Sequence, residues 1–426
     1  MHRDLDITID GVSRIEGHAS LELKVKQGVV EDLKLSVSED KRFYTQAVRG
    51  KNALNLPNIT SRICGTCSYA HLLCAIESVE NALNVQPSEQ TVILRKLAAY
   101  SMIIRDHAMH LYLFSLPDAF GKESVLEFSE EEMKWVNEGF RVKKAGNTLS
   151  TMIGGRAVHP TSLAVGGVAS IPKKEDSARI IHDLKEVRPL VLKIIEFFYN
   201  SQFSLKQNTR YVSSMNDDFS YLGSSIIDSD GEVIQKSGFM DHFFRVVIPY
   251  SEAVGYELEG KDYVVGALSR MNLKKKSLHR DTLKDAASFL SVFPSNNIFH
   301  NNLAQAIELL HAVDSSIEIL QMDFRLEERV EPVLKEGEGI GVVEAPRGLL
   351  YYHVKTGADG LIKDANLVIP TSQNQIRMQM DIKQLVEKLI SEDKEKGVVE
   401  MEIEKLIRAY DPCMSCATHF LNVKWI

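Results

Sequence analysis

Four of the five cysteines stand in two C-x-x-C pairs, Cys64/Cys67 and Cys413/Cys416, near opposite ends of a 426-residue chain. A two-residue gap lets both sulfurs of a pair point the same way, as shared metal coordination requires. Four thiolates form a soft donor set, suited to zinc, iron or nickel and ill suited to magnesium or calcium. Spacing does not choose among the soft metals, and on spacing alone a structural zinc site is the more economical reading. Three features weigh against a mere staple: the pairs lie far apart, each has a charged neighbour (Arg62, Asp411), and a large helical chain needs no metal to close its core. A thioredoxin-like redox pair would need a βαβ context that neither pair has.

The flanks add detail. Arg62-Ile63-Cys64-Gly65-Thr66-Cys67 runs into a helical pattern starting at Ser68, so both thiols sit at a helix N-terminus, where the dipole favours thiolate. Asp411-Pro412-Cys413-Met414-Ser415-Cys416 comes after a helix and a proline. His71 shares a helical face with Cys67 and reads as a hydrogen-bonding residue behind the sulfurs. Cys74, further along that face, reads as a small buried apolar residue.

The elements that must position these residues can be read from periodicity. Alternation over 19–25, a turn at Gly28 and a run from Val29 to Val37 predict a β-hairpin. Leu72, Leu73, Ile76, Val79 and Leu83 mark one face of a helix, and a longer one is expected over 92–116. The middle is mostly helical: 180–203 is expected to break at Pro189, 216–238 is loop-rich, and long helical patterns run over 281–324. From Gly339 the pattern turns to strands, with a turn at 357–360; helices over 375–391 and 398–410 then lead to the second pair. No linker composition or repeat interrupts the chain. The expected fold is mainly α with β segments near both ends (α+β): one domain over 1–426, with a β-rich part at 1–60, a helical body at 61–335, a β insertion at 336–372 and a C-terminal, metal-binding part at 373–426. If both pairs serve one site, the two ends must meet inside it.

Composition bounds the function. Apolar residues make up 44% and charged residues 25%, as in soluble globular domains. A formal charge of -8 argues against nucleic acid as a partner. No apolar run reaches the roughly 20 residues of a membrane span. Asp4, Asp6 and Asp10 occupy the place where a secretory signal would be apolar, so a cytoplasmic location is expected.

R-I-C-G-T-C and D-P-C-M-S-C-A-T-H resemble the R-x-C-G-x-C and D-P-C-x-x-C-x-x-H signatures of nickel-iron hydrogenase large subunits. Arg14-Ile15-Glu16-Gly17-His18 is similar to that family's R-I-E-G-H, and Arg105-Asp106-His107 with His110 to its early helix. Gly154-Gly155, His159-Pro160, Gly166-Gly167, Ala345-Pro346-Arg347-Gly348 and Ile369-Pro370-Thr371 resemble further family segments, so nearly the whole chain is covered. The resemblance implies reversible cleavage of H2, a very weak acid whose heterolysis needs a Lewis acid and a nearby base. It implies that Cys64 and Cys413 are terminal on nickel and that Cys67 and Cys416 bridge nickel to an iron carrying one CO and two cyanides. Pro346, Arg347, Ile369, Pro370 and Thr371 would enclose the iron ligands and the open position. Cys413 or Arg347 would serve at the base, and Glu16 would be the first proton-relay carboxylate. Asp106 and Asp411 would hold Arg347 or Arg62, with His18, His71 and His419 nearby.

Two positions depart from the family pattern. Where the family has a magnesium-ligating glutamate this chain has Thr45, a poorer ligand for a hard cation. Beyond His419, where family precursors are cut, the chain continues only through Phe420 to Ile426, with Leu421, Val423 and Trp425 alternating as in a short strand. The expectation is a retained tail with the magnesium site lost or altered; a short extension removed normally is the alternative.

With no further cysteine pair for iron-sulfur clusters, the implied partners are an iron-sulfur small subunit, further electron-transfer subunits and maturation proteins, as in cytoplasmic multi-subunit hydrogenases coupled to soluble carriers. The competing functions are a relative of the quinone-site subunit of complex I, which lacks the four cysteines, and a zinc-stapled interaction protein, which leaves Arg347 and Glu16 without a role.

Overall fold

The computed structural model describes residues 4–39 and 43–418. Strands β1 (Leu5–Ile9), β2 (Ala19–Lys26) and β3 (Val29–Val37) form an antiparallel sheet in that order, one strand more than the expected hairpin. Leu21, Leu23 and Val25 are buried while Glu22 and Lys24 face out, the alternation of a half-covered sheet. Its covered side meets the Pro370–Ser391 helix, whose Gln375 amide donates to the Leu35 carbonyl at 2.9 Å.

Five long helices make the body: Ser68–Leu83, Glu89–Met109, Glu130–Gly154, Lys174–Tyr199 and His300–Leu320. The first is buried on nearly every side because strand Gly337–Ala345 lies directly against it. Gly337, Gly339 and Gly341 recur with the period of a strand, and a Cβ on Gly341 would stand 2.1 Å from the Cys74 carbonyl oxygen. Gly337–Ala345 pairs with Gly348–Thr356, which pairs with Ile362–Val368. Ala345 faces Gly348 across this hairpin, so Pro346 and Arg347 are its two-residue turn.

Four expectations need correction. Helix Lys174–Tyr199 runs through Pro189: both Pro189 and Lys185, whose carbonyl loses its donor, are exposed, so water satisfies the freed group. The segment 281–324 is not one long helical stretch. Arg280–Asp285 and Ala287–Leu290 are short, the chain leaves helical geometry around Pro294, and the long helix starts only at His300. The loop-rich 216–238 contains strands Ile226–Asp228 and Val233–Ile234, too short for alternation to reveal. The 92–116 helix begins at Glu89 behind a Ser88 cap and passes into a π-helical turn at His110–Ser115.

The closeness of Gly341 to the cysteine-bearing helix is testable. Gly341→Ala is expected to lower the thermal midpoint by the equivalent of about 1–3 kcal/mol, as overpacking does. Gly397→Ala, where the added methyl meets nothing within 4 Å, is expected to leave the midpoint unchanged or slightly raised. Equal midpoints for the two variants would contradict the tight packing of strand on helix.

Candidate metal centre

The two cysteine pairs meet. Cys64 and Cys413, 349 residues apart in sequence, have Sγ atoms 3.4 Å apart; Cys67 and Cys416 are 3.2 Å apart, and Cys413 and Cys416 2.8 Å. All four are free and buried, and their sulfurs lie within 4.8 Å of one another. These separations exceed an S–S bond of about 2.05 Å, so the sulfurs are gathered without being joined. As thiolates in a dry interior the four would repel strongly without a cation among them. The donor set therefore fits a soft transition metal.

Each pair is placed by local chain geometry. Cys67 is the residue preceding the Ser68–Leu83 helix, and Arg105 donates to the Thr66 carbonyl at 2.6 Å, fixing the turn between Cys64 and Cys67. The second pair is locked to the N-terminal segment: Met414 N–H donates to the Glu16 carbonyl at 2.8 Å, and Cys413 N–H to Thr371 Oγ1 at 2.9 Å. Gly17 permits this approach, having φ +82 and no Cβ, which would stand 2.7 Å from Ser415 N. Arg14 and Arg408 both donate to Asp118 Oδ1 at 2.7 Å, tying the two chain ends to the middle of the fold.

Three side chains surround the sulfurs. The Cys413 thiol donates to Glu16 Oε2 at 2.9 Å, and Ser415 Oγ donates to Glu16 Oε1 at 2.8 Å. Burial pushes the Glu16 carboxyl upward, the Cys64 thiolate adds to this, and the bonds from Cys413 and Ser415 oppose it. His71 lies with Nε2 3.5 Å from Cys416 Sγ and Nδ1 2.6 Å from Tyr352 Oη, and burial pushes its pKa down to about 4, so the ring is neutral. Arg347 is buried between two carboxylates, with Nη2 2.9 Å from Asp411 Oδ1 and Nη1 3.1 Å from Asp106 Oδ1. Cys67, Pro346, Arg347, Ile369, Pro370 and Thr371 line a small, largely apolar cavity beside Cys413 and Cys416.

Other sequence candidates fall elsewhere. Arg62 is exposed, so Asp106 and Asp411 hold Arg347 rather than Arg62. His18 is largely exposed and pairs with Glu39. Cys74 points away, its thiol donating to the Gly341 carbonyl at 3.2 Å. Thr45 is half-buried in the short Tyr44–Ala47 helix; His419 and the 420–426 tail lie outside the described residues. Ser415 and Tyr352 were not legible as neighbours of the site, although Ser415 stands between the two cysteines; Arg105 was marked only by its place in the Arg105-Asp106-His107 motif.

Comparison with known proteins agrees with this geometry. Residues 42–136 and 245–419 match the family described as nickel-dependent hydrogenase, and residues 6–39 one described as HoxL-like. The chain belongs to the nickel-dependent hydrogenase family. Among its relatives is the sulfhydrogenase 1 subunit alpha of Pyrococcus furiosus, 30% identical over 98% of this chain and 99% of that one. The NAD-reducing hydrogenase HoxS subunit beta of Cupriavidus necator is 28% identical over 98% and 95%. A solved NAD+-reducing NiFe hydrogenase superposes with a TM-score of 0.86, covering 97% of this chain and 99% of that one at 23% identity. The chain is thus a catalytic large subunit of the nickel-iron hydrogenases, and the complex I-like and zinc-stapled alternatives have no support. Among the described residues no helix is long and apolar enough to cross a membrane.

Replacing Cys64, Cys67, Cys413 or Cys416 singly by serine is expected to abolish stoichiometric nickel in the purified protein, read by elemental analysis. Cys74→Ser is expected to leave the metal content unchanged.

Proposed function

We propose that Cys64 and Cys413 would hold nickel alone, and that Cys67 and Cys416 would hold both nickel and an iron bearing one CO and two cyanides. The cavity walled by Pro346, Arg347, Ile369, Pro370 and Thr371 would house those small ligands and admit H2. The observation that carries this reading is the convergence of four free thiols with a carboxylate on one of them and a guanidinium beside the cavity. When bound, the metal pair supplies the Lewis acidity and redox capacity that H2 cleavage needs.

The side chains do the rest. Cys413 Sγ holds the proton released from H2 and hands it to Glu16 Oε2, which it already contacts at 2.9 Å. Ser415 Oγ, bonded to the other carboxylate oxygen, steadies that carboxyl. Arg347, anchored by Asp106 and Asp411, keeps a fixed positive charge at the cavity wall. His71 offers a neutral ring nitrogen to Cys416 and so disperses charge on that sulfur. The only cysteine outside the site, Cys74, is buried apart from it, so electrons leave through a separate iron-sulfur subunit, with maturation proteins supplying the iron ligands. Several relatives are named as single subunits of larger enzymes, which supports a heteromeric setting.

Equal nickel and iron, with infrared bands from bound CO and cyanide, are expected of the purified protein; zinc alone would overturn the reading. Glu16→Gln is expected to keep both metals and those bands while slowing H2/D2O exchange by roughly 100-fold or more. Exchange at the native rate would remove Glu16 from the proton path.

For the corner beyond Cys416 we infer a lost or altered magnesium site and a retained tail, because Thr45 offers a hydroxyl where the family pattern has a carboxylate. An intact mass that includes residues 420–426, with magnesium well below stoichiometric, is expected. A mass ending at His419, or one magnesium per chain, would reject it.

A further inference from the structure

Arg270, on helix Ala267–Lys274, is fully buried, and it touches none of the sulfurs. All five of its N–H groups are used. Nε and Nη2 donate to Glu308 Oε1 and Oε2, each at 2.7 Å. Nη1 donates to Glu344 Oε2 at 3.0 Å and to the Ala345 carbonyl at 2.9 Å, and Nη2 donates to the Pro346 carbonyl at 2.9 Å. Two of the five bonds thus fall on consecutive carbonyls leading into Arg347.

We propose that Arg270 is a positioning residue for the Pro346-Arg347 turn, fixing the root of the Arg347 side chain while Asp106 and Asp411 fix its tip. A two-residue turn has few backbone torsions, so holding the carbonyls of Ala345 and Pro346 sets the direction in which Arg347 leaves the backbone. The same helix serves both ends of the clamp. Asp106 grips the Arg347 guanidinium, and its neighbour His107 lies 2.9 Å from Glu308, the carboxylate that seats Arg270. Adjacent residues on Glu89–Met109 are thereby coupled to adjacent residues of the turn, one directly and one through Glu308 and Arg270. Glu344 is held in turn by Ser214 N–H at 2.6 Å and Ser213 Oγ at 3.0 Å, so the guanidinium sits in a preformed frame.

This role explains the residue type. Only a planar fork satisfies two carboxylates and two carbonyls at once; an ammonium has three donors radiating from one atom. A buried ion cluster of this kind contributes little net stability compared with an apolar replacement, yet it specifies geometry. Displacements of about 1 Å at a reacting centre cost up to about 100-fold in rate.

The inference rests on Arg347 acting at the site, and the experiment separates the two. In the purified hydrogenase complex, Arg270→Lys, Arg347→Lys and the double variant are compared for nickel and iron content, kcat, KM for H2 and the infrared bands of the iron ligands. Arg270→Lys is expected to retain both metals, lower kcat about tenfold with KM unchanged, and shift the bands. The double variant is expected to be slower than Arg347→Lys by no more than about twofold, because both changes act through one side chain. A kcat for Arg270→Lys within about twofold of native, or losses that multiply in the double variant, would overturn the positioning role. Full activity in Arg347→Lys would instead overturn the role of Arg347. Should Arg270→Lys fail to fold, Glu308→Gln, which loosens the seat but keeps the fork, is expected to give the same split of kcat from KM, and an unchanged kcat there would equally overturn the proposal.

Discussion

Four sulfurs within 4.8 Å of one another, drawn from the two ends of the chain and shut away from water, are the constraint on which the rest of this structure depends. Thiolates at that spacing repel, and the interior cannot screen them as water would. The fold therefore needs a cation at their centre, positive or donating groups around them, and a scaffold stiff enough to hold the pairs in register before the metal arrives. Arg347, Arg105 and the neutral His71 ring meet the second need. The buried Ser68–Leu83 helix, pressed against a strand of recurring glycines, meets the third.

The scaffold joins distant segments through buried or half-buried arginines, each shared between carboxylates or sharing one. Arg14 and Arg408 share Asp118; Arg347 bridges Asp106 and Asp411; Arg270 bridges Glu308 and Glu344. Such pairs are near break-even energetically, but a wrong pairing leaves a buried charge unmatched and costs several kcal/mol. Their effect is thus to reject alternatives. Asp118, by accepting from both Arg14 and Arg408, helps to hold the Arg14-Ile15-Glu16 segment beside the C-terminal cysteines.

The four cysteines were legible in the sequence as a possible donor set because their chemistry is local: two thiols at fixed spacing, flanked by a helix start in one pair and a helix end with proline in the other. Glu16 and Arg347 became legible only through their resemblance to a family, since each alone reads as a solvated turn residue. The buried strand alternation and the amphipathic faces were legible for the same local reason. Helix ends, the path through Pro189 and the break at Pro294 were not, because each depends on whether a freed carbonyl meets water or protein. Arg270 was invisible for a different reason. Its five bonds fall on two segments, Glu308 and the run from Glu344 to Pro346, both distant from it in the chain, and no spacing in the sequence encodes that meeting.

The same geometry bears on which group accepts a proton from the site. Three titratable side chains stand nearest the sulfurs. Arg347 is held charged by two carboxylates, which raise its pKa above an already high value. His71 is held neutral, because burial opposes its charged form and Tyr352 engages its other ring nitrogen. Glu16 is raised: burial and then the Cys64 thiolate push its pKa up, against the Cys413 thiol and Ser415 hydroxyl, which stabilise its charge. A carboxyl raised in this way lies closer to neutrality than a free one, whereas Arg347 stays charged and His71 neutral. That difference, together with its contact to Cys413, supports the proposed role of Glu16 as the first proton acceptor, with Arg347 and His71 proposed to shape the field around it.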